Sequence, residues 1–258
     1  MKKVISFSLW CQENKLNPKN QSQNKNMYIN GAYENLKLKN KYYKDWTFRF
    51  YINNSVSDEV KKNIIQLGGE IKDMTGITIP GMYWRFLPIQ DNDVDLFIVR
   101  DIDSRISLRE EKAVNQWIKS DKIMHVMRDH PHHYYKILGG MWGFKNTITI
   151  DFNTLLDEFL RARNYSFKRM DDMYFLDQIY DHFERNNQVL AHDAYFKISK
   201  NSLDFPCNIE NQNIRKNYNY VGEIFDENNK EVTLERDRDL QLNYKTIMNN
   251  HWSKQYWK

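Results

Sequence analysis

The sequence predicts an α/β protein in which helices flank a largely parallel central sheet, and three observations carry that prediction. Val94-Asp95-Leu96-Phe97-Ile98-Val99 is a short run apolar on both faces, the pattern of a central strand in a sheet covered by helices on both sides. Strand-like and helix-periodic segments alternate through about the first 150 residues, as strand, crossover helix and parallel strand require. The chain has 258 residues, 41% hydrophobic and 28% charged. That is enough for one large domain, and it excludes a disordered or collagen-like chain.

Taken in order, Val4-Ile5-Ser6-Phe7-Ser8-Leu9-Trp10 is a first buried strand. Met1-Lys2-Lys3 before it imitates the start of a signal peptide, but the apolar run stops at Cys11-Gln12-Glu13 without a small-residue cleavage site. Residues 12–26, rich in Asn, Gln and Lys, have almost nothing to bury and are expected as a polar loop insertion. Gly31-Ala32-Tyr33 opens a helical run through Leu36, Leu38 and Tyr42, and 46–52 is a second strand. Ser57 caps a helix with Asp58 and Glu59 in its first turn, Val60, Ile64 and Leu67 on one face, and Gly68-Gly69 as its stop. Ser107, followed three residues later by Glu110, is the capping box of another, with Ala113, Val114, Trp117 and Ile118 as its buried stripe. Helices are expected at 154–163 and 171–184 and a strand at 189–196. Residues 1–225 then make a single domain, with 226–258 a tail or lid packed on it.

Charge and cysteine usage narrow the partners. The sum of 38 basic and 34 acidic residues, +4, is too mild and dispersed for a duplex-DNA binder, so no nucleic-acid partner is expected. No segment approaches the roughly 18 uninterrupted apolar residues of a membrane span. Cys11 and Cys207 belong to no CxxC spacing and read as reduced packing residues of a cytoplasmic protein.

The informative feature is Asp101-Ile102-Asp103 at the carboxyl end of the apolar strand. In an extended chain residues i and i+2 point to one side, and in open α/β sheets ligands bind just beyond the carboxyl ends of the strands. Two convergent carboxylates suit Mg²⁺ or Mn²⁺, which can neutralise a diphosphate leaving group, and Arg100 and Arg105 add complementary charge. The Asp-x-Asp string also occurs at Asp91/Asp93, Asp93/Asp95 and Asp237/Asp239, where solvated carboxylates are expected. On spacing alone, metal binding and a structural role stand level at Asp101 and Asp103.

Beyond the tripeptide, Val94 through Arg105 resembles the DxD segment of nucleotide-sugar-dependent glycosyltransferases of the GT-A fold. Further blocks resemble a group of such enzymes in bacteria and large DNA viruses: Asn30-Gly31-Ala32, Tyr43-Lys44-Asp45-Trp46, Arg49-Phe50-Tyr51, Trp84-Arg85-Phe86-Leu87-Pro88, Met127-Arg128-Asp129-His130-Pro131 and Gly139-Gly140-Met141-Trp142-Gly143. The resemblance spans about residues 1–225. It implies a mixed, mostly parallel sheet, a nucleotide-sugar donor, a glycan or other hydroxyl acceptor, and Mn²⁺ or Mg²⁺ held by Asp101 and Asp103. It places Ser6, Phe7 and Ser8 near base and ribose, and Arg85, Arg100 and Arg105 toward the donor. It makes His192 the third metal ligand, with His251 in reserve.

Some of these residues also carry a plainer reading. Arg85 beside two aromatics is equally a packed surface arginine. Gly139 and Gly140 can bring backbone close to a ligand while Trp142 stacks on a sugar, or the three can form a turn with a core tryptophan. Asp177-Gln178 is similar to an acceptor-side element, which makes Asp177 a candidate base for the acceptor hydroxyl; a solvated helix acid is the alternative. His130, His132 and His133 lack an accompanying thiolate, and Pro131 favours a loop, so zinc is not expected there. Two other functions compete: a metal-dependent nucleotidyltransferase, against which counts the lack of a Gly-rich phosphate loop near the first strand, and a carbohydrate- or nucleotide-binding module using Trp252, Lys254, Tyr256, Trp257 and Lys258.

Overall fold

In a computed structural model, which describes residues 1–10, 21–165, 168, 170–206 and 220–232, the apolar run at 94–99 lies mid-sheet. Its strand, β4 (Leu96–Arg100), pairs parallel with β1 (Lys3–Leu9) and antiparallel with β6 (Met141–Lys145). The other strands are β2 (Thr47–Ile52), β3 (Glu70–Asp73), β5 (Met124–Arg128), β7 (Val189–Asp193) and β8 (Ser202–Leu203). Their spatial order is β3-β2-β1-β4-β6-β5-β7-β8, and only β6 runs against its neighbours. This is the mixed, mostly parallel α/β sheet that the sequence predicts.

Among the described residues six α-helices cover it: α1 (Gln21–Tyr42), α2 (Asp58–Gln66), α3 (Gly81–Trp84), α4 (Leu108–Ile118), α5 (Phe152–Arg161) and α6 (Asp171–Arg185). Alternation along β4 explains the two cores. Leu96 and Ile98 pack with Phe7, Phe48, Leu36, Ile64 and Trp117 under α1, α2 and α4. Phe97 and Val99 pack with Trp142, Phe86, Tyr83, Leu156 and Phe175 under α3, α5 and α6. Both faces of β4 are therefore buried, which is why its sequence does not alternate.

Local chemistry sets most boundaries. Ser57 Oγ accepts from the Val60 N–H at the start of α2, and Gly68, at φ +84°, turns the chain out of it. Ser107 Oγ accepts from the Glu110 N–H as a capping box requires. The reciprocal half of the box is not made, because Glu110 turns inward to Arg100 and Tyr43. Two other expectations need correction. The polar insertion does not run to residue 26, since α1 begins at Gln21. Asp91 and Asp93 are not simply solvated: both pair with the fully buried Arg49, which also holds Glu70, and Tyr51 donates to Asp91 at 3.0 Å. A buried guanidinium needs such an acidic shell. Cys11, Cys207, Asp237, Asp239, His251 and the aromatic tail from Trp252 lie outside the described residues. No helix among those described is long and apolar enough to cross a membrane.

Candidate active site

Beyond β4 the chain turns at once. Ser104 donates to the Asp101 carbonyl twice, from N–H at 3.2 Å and from Oγ at 2.8 Å, so Asp101-Ile102-Asp103 is a tight turn at the strand end and not the extended segment expected. The two carboxylates still share one neighbourhood. Burial and the charge of Asp101 push the Asp103 carboxyl up to about 7, with Arg85 and Arg105 opposing.

Arg85 organises the rest. It caps the carboxyl end of α3, and its backbone N–H donates to Ser8 Oγ at 2.9 Å, which ties it to the end of β1. Its guanidinium then forks: Nη1 donates to Asp101 Oδ1, and Nη2 to Asp172 Oδ2 at 2.9 Å. Asp172 stands in the first turn of α6, where its Oδ1 also accepts the Met173 N–H at 3.0 Å. Gly139 and Gly140, in the turn that enters β6, press against this cluster. A Cβ on Gly140 would lie 2.1 Å from Asp101 Oδ2, and one on Gly139 2.3 Å from Asp172 Oδ2. Those two glycines are required so that backbone can meet carboxylate.

The structure thus brings together Ser8, Arg85, Asp101, Asp103, Gly139 and Gly140, and sends other expected residues elsewhere. Arg100 alternates to the opposite face of the sheet, 2% exposed, with its Nε 2.7 Å from Glu110 of α4. Phe7 likewise faces the α1 side and stacks on Phe50 at 5.0 Å, away from any base. Trp142 is fully enclosed between Phe86 and Phe97, so no sugar can stack on it. Ser6 is buried on the Arg85 side of β1 with its Oγ unpartnered. Arg105 donates to the carbonyls of Asp103 and Ser104 and to Asn229 Oδ1, and so fastens the turn instead of facing a donor.

Asp177 lies five residues beyond Asp172 along α6, near Lys136 and Asp181; burial lifts its carboxyl to about 6, and Oδ1 has no partner. Gln178 next to it is exposed.

His192 is not beside Asp103. Its Nε2 donates to Gln116 Oε1 at 3.1 Å, which leaves Nδ1 to accept from His125 Nε2 at 2.8 Å; both nitrogens are occupied, and a metal could not use either. Burial holds His192 down to about 4 and His125 well below its usual range. Unfolded histidines titrate near 6.5, so as pH falls from about 6.5 toward 4 the unfolded chain takes up protons that the fold refuses. Stability therefore drops in that window, by roughly 2–3 kcal/mol from His192. Asp103 and Asp177, whose carboxyls are raised, have the opposite sign, so the readout is a difference: the unfolding free energy of wild type minus that of His192→Gln should fall as pH drops from about 6.5 toward 4. Parallel curves would refute the assignment.

A late segment closes over the turn. Ile224 bridges to Ser104, the Phe225 N–H donates to the Asp103 carbonyl at 2.9 Å, and Arg105 lies 4.9 Å from the Phe225 ring. Its anchor is buried Asp129, which accepts the Val221 N–H at 2.9 Å and both ends of the Arg109 fork at 2.7 Å. This covering begins before residue 226. The site residue absent from the sequence reading is Asp172. Its one local signal was an Asp pair opening a predicted helix, which reads as ordinary dipole complementation.

No protein-family model matches the chain, and no curated protein matches it. Solved structures similar to it include 4-diphosphocytidyl-2C-methyl-D-erythritol synthase from Anaerococcus prevotii, at 14% identity over 83% of this chain and 92% of that one, TM-score 0.42. Mouse xyloside xylosyltransferase 1 is similar at 10% identity over 75% and 85%, TM-score 0.43. Residues 1–349 of S. aureus TarS are similar at 12% identity over 99% and 75%, TM-score 0.45. These likenesses concern the fold.

Proposed function

We propose that the chain is a divalent-metal-dependent glycosyltransferase, moving a sugar from a nucleoside-diphosphate donor to a hydroxyl of a glycan or other acceptor. The observation that carries this reading is the Asp101-Asp103 turn at the carboxyl edge of the central strand, flanked by an arginine fork and a glycine pair that a Cβ would close. The donor set fits Mn²⁺ or Mg²⁺. It consists of carboxylate oxygens, and among the described residues only Arg85 donates to the Asp101 carboxylate. No cluster of three His, Cys, Asp or Glu side chains is set to hold a metal among them, so two carboxylates, water and donor phosphate would complete the shell, as suits Mg²⁺. The ion would supply charge neutralisation at the departing diphosphate.

The chain's own residues supply the rest. Arg85 presents a planar fork matched to phosphate oxygens, Asp172 holds that fork in place, and Gly139-Gly140 keep the wall low. The test is a thermal-shift panel of UDP-, GDP-, TDP- and CMP-sugars with Mn²⁺ or EDTA. One nucleotide class should raise the melting temperature by several degrees only with metal. Asp103→Ala should abolish the shift. Stabilisation by no nucleotide sugar, or pyrophosphate release from a nucleoside triphosphate and a sugar phosphate, would overturn the reading.

A further inference from the structure

We propose that Arg85 is a built-in counter-ion for Asp101, which a divalent cation must displace, and that the displaced fork, still tethered by Asp172, becomes the clamp for the donor's phosphates. The inference rests on the metal-site reading above and adds an order: metal first, donor second.

Four features of the structure lead there. Arg85 is only 13% exposed yet its Nε is buried without a partner, so the guanidinium keeps unused donor capacity where it stands. Its two acids differ in accessibility: the Asp101 side chain is 43% exposed and that of Asp172 12%, so the Asp101 contact is the one that an ion from solvent reaches. The Gly140 backbone lies along one side of the Asp101 carboxylate, where a Cβ would come 2.1 Å from Oδ2, so the neighbour that gives way to an ion is the arginine. Finally, Asp101, Asp103 and Asp172 place three carboxylates near one guanidinium, while Arg105 spends Nε and Nη1 on Asn229 and backbone oxygens and keeps only Nη2 unpartnered. The cluster retains acidic charge that a divalent ion can neutralise.

The order follows from electrostatics. A dication bound at Asp101 repels the guanidinium from that carboxylate but leaves the better buried Asp172 pair intact. The guanidinium then pivots on Asp172 with Nη1 freed and Nε already unpartnered. These two donors lie on different edges of the group, so each offers an N–H to a separate phosphate oxygen.

The consequence has an unusual sign: deleting a site arginine should strengthen metal binding. Free Mn²⁺ measured by electron paramagnetic resonance, without nucleotide or turnover, reads this directly. Arg85→Met should bind Mn²⁺ at least ten-fold more tightly than wild type and lose metal-dependent nucleotide binding, whereas Arg85→Lys, which keeps the charge, should hold Mn²⁺ within about three-fold of wild type. Asp172→Asn, which leaves Arg85 with Asp101 alone, should weaken Mn²⁺ several-fold, and it serves if Arg85→Met does not fold. Wild type binding Mn²⁺ with Arg85→Met no tighter, or Asp172→Asn binding as well as wild type, overturns the counter-ion role and leaves the metal site standing. Neither wild type nor Arg85→Met binding millimolar Mn²⁺ removes the metal site itself, and this inference with it.

Discussion

Replacing Arg128 with Ala should destabilise the fold by roughly 3–5 kcal/mol, lowering the melting temperature by about 10 °C. Arg128 and Asp193 are both wholly buried, and their pair joins β5 to β7 with Nε 2.7 Å from Asp193 Oδ2. The same guanidinium donates to the Lys136 carbonyl and to Ser199 Oγ, which in turn shares a hydrogen bond with Tyr180. Removing it strands a buried carboxylate, and that is costlier than losing the pair's net attraction. Asp193 keeps backbone donors from Tyr195, Phe196 and Ile198, which places the expected loss at the lower half of the range. Arg128→Met with Asp193→Asn should recover much of the stability, because neither retained group is then charged. Denaturant unfolding of the three variants checks this. A loss below about 1 kcal/mol in Arg128→Ala would mean that the backbone donors alone sustain the buried charge.

The polar pairs that stabilise β5 also explain why it was illegible in the sequence. Met124-His125-Val126-Met127-Arg128 carries a histidine and an arginine at buried positions, and each is acceptable only because β7 supplies Asp193 directly opposite Arg128 and His192 diagonally to His125, two residues beyond its register partner Leu190. Such partners are more than sixty residues away and leave no local signal. By contrast β4 was readable because it is apolar on both faces, and α2 and α4 because Ser57 and Ser107 cap them in place. β6, with a glycine at its centre, gives no strand pattern; Gly143 is there because a Cβ would meet Ile98 and Phe97 of β4.

The same division runs through the site. Asp101 and Asp103 stood out because charge follows a wholly apolar strand. The neighbouring Arg100 carried the same signal and turned out to face Glu110 on the other side of the sheet, since alternation continues through the strand's last residue. Trp142 was read as a possible sugar platform because it follows two glycines; the glycines serve Asp101 and Asp172, and the tryptophan fills the core behind them. Asp172 remained hidden because its meaning depends on Arg85, far away in the chain and near only once α6 has docked.

Gly140→Ala should eliminate metal-dependent donor binding while Gly139→Ala only weakens it, although the two positions are adjacent and the change is one methyl group. At Gly140 the added Cβ would lie 2.1 Å from Asp101 Oδ2, 2.3 Å from Cγ and 2.7 Å from the Asp101 backbone nitrogen. A rotamer change relieves the first two clashes but not the third, so the end of β4 or the entry to β6 must shift, and either moves both carboxylates. The overpacking should cost about 1–3 kcal/mol of stability. At Gly139 the close atoms are side-chain ends, Asp172 Oδ2 at 2.3 Å and Arg85 Nη2 at 2.7 Å, which can separate while Asp101 stays in place. Gly139→Ala should therefore weaken Mn²⁺ only several-fold, as loss of the Asp172 tether does, and lose about ten-fold in nucleotide affinity, a change worth about 1.4 kcal/mol. Gly140→Ala should lose Mn²⁺ binding at least a hundred-fold. Equal Mn²⁺ affinity in wild type and Gly140→Ala, with the strain evident as a lowered melting temperature, would mean that Asp101 does not hold the ion, and the site would then have to be built on Asp103 alone.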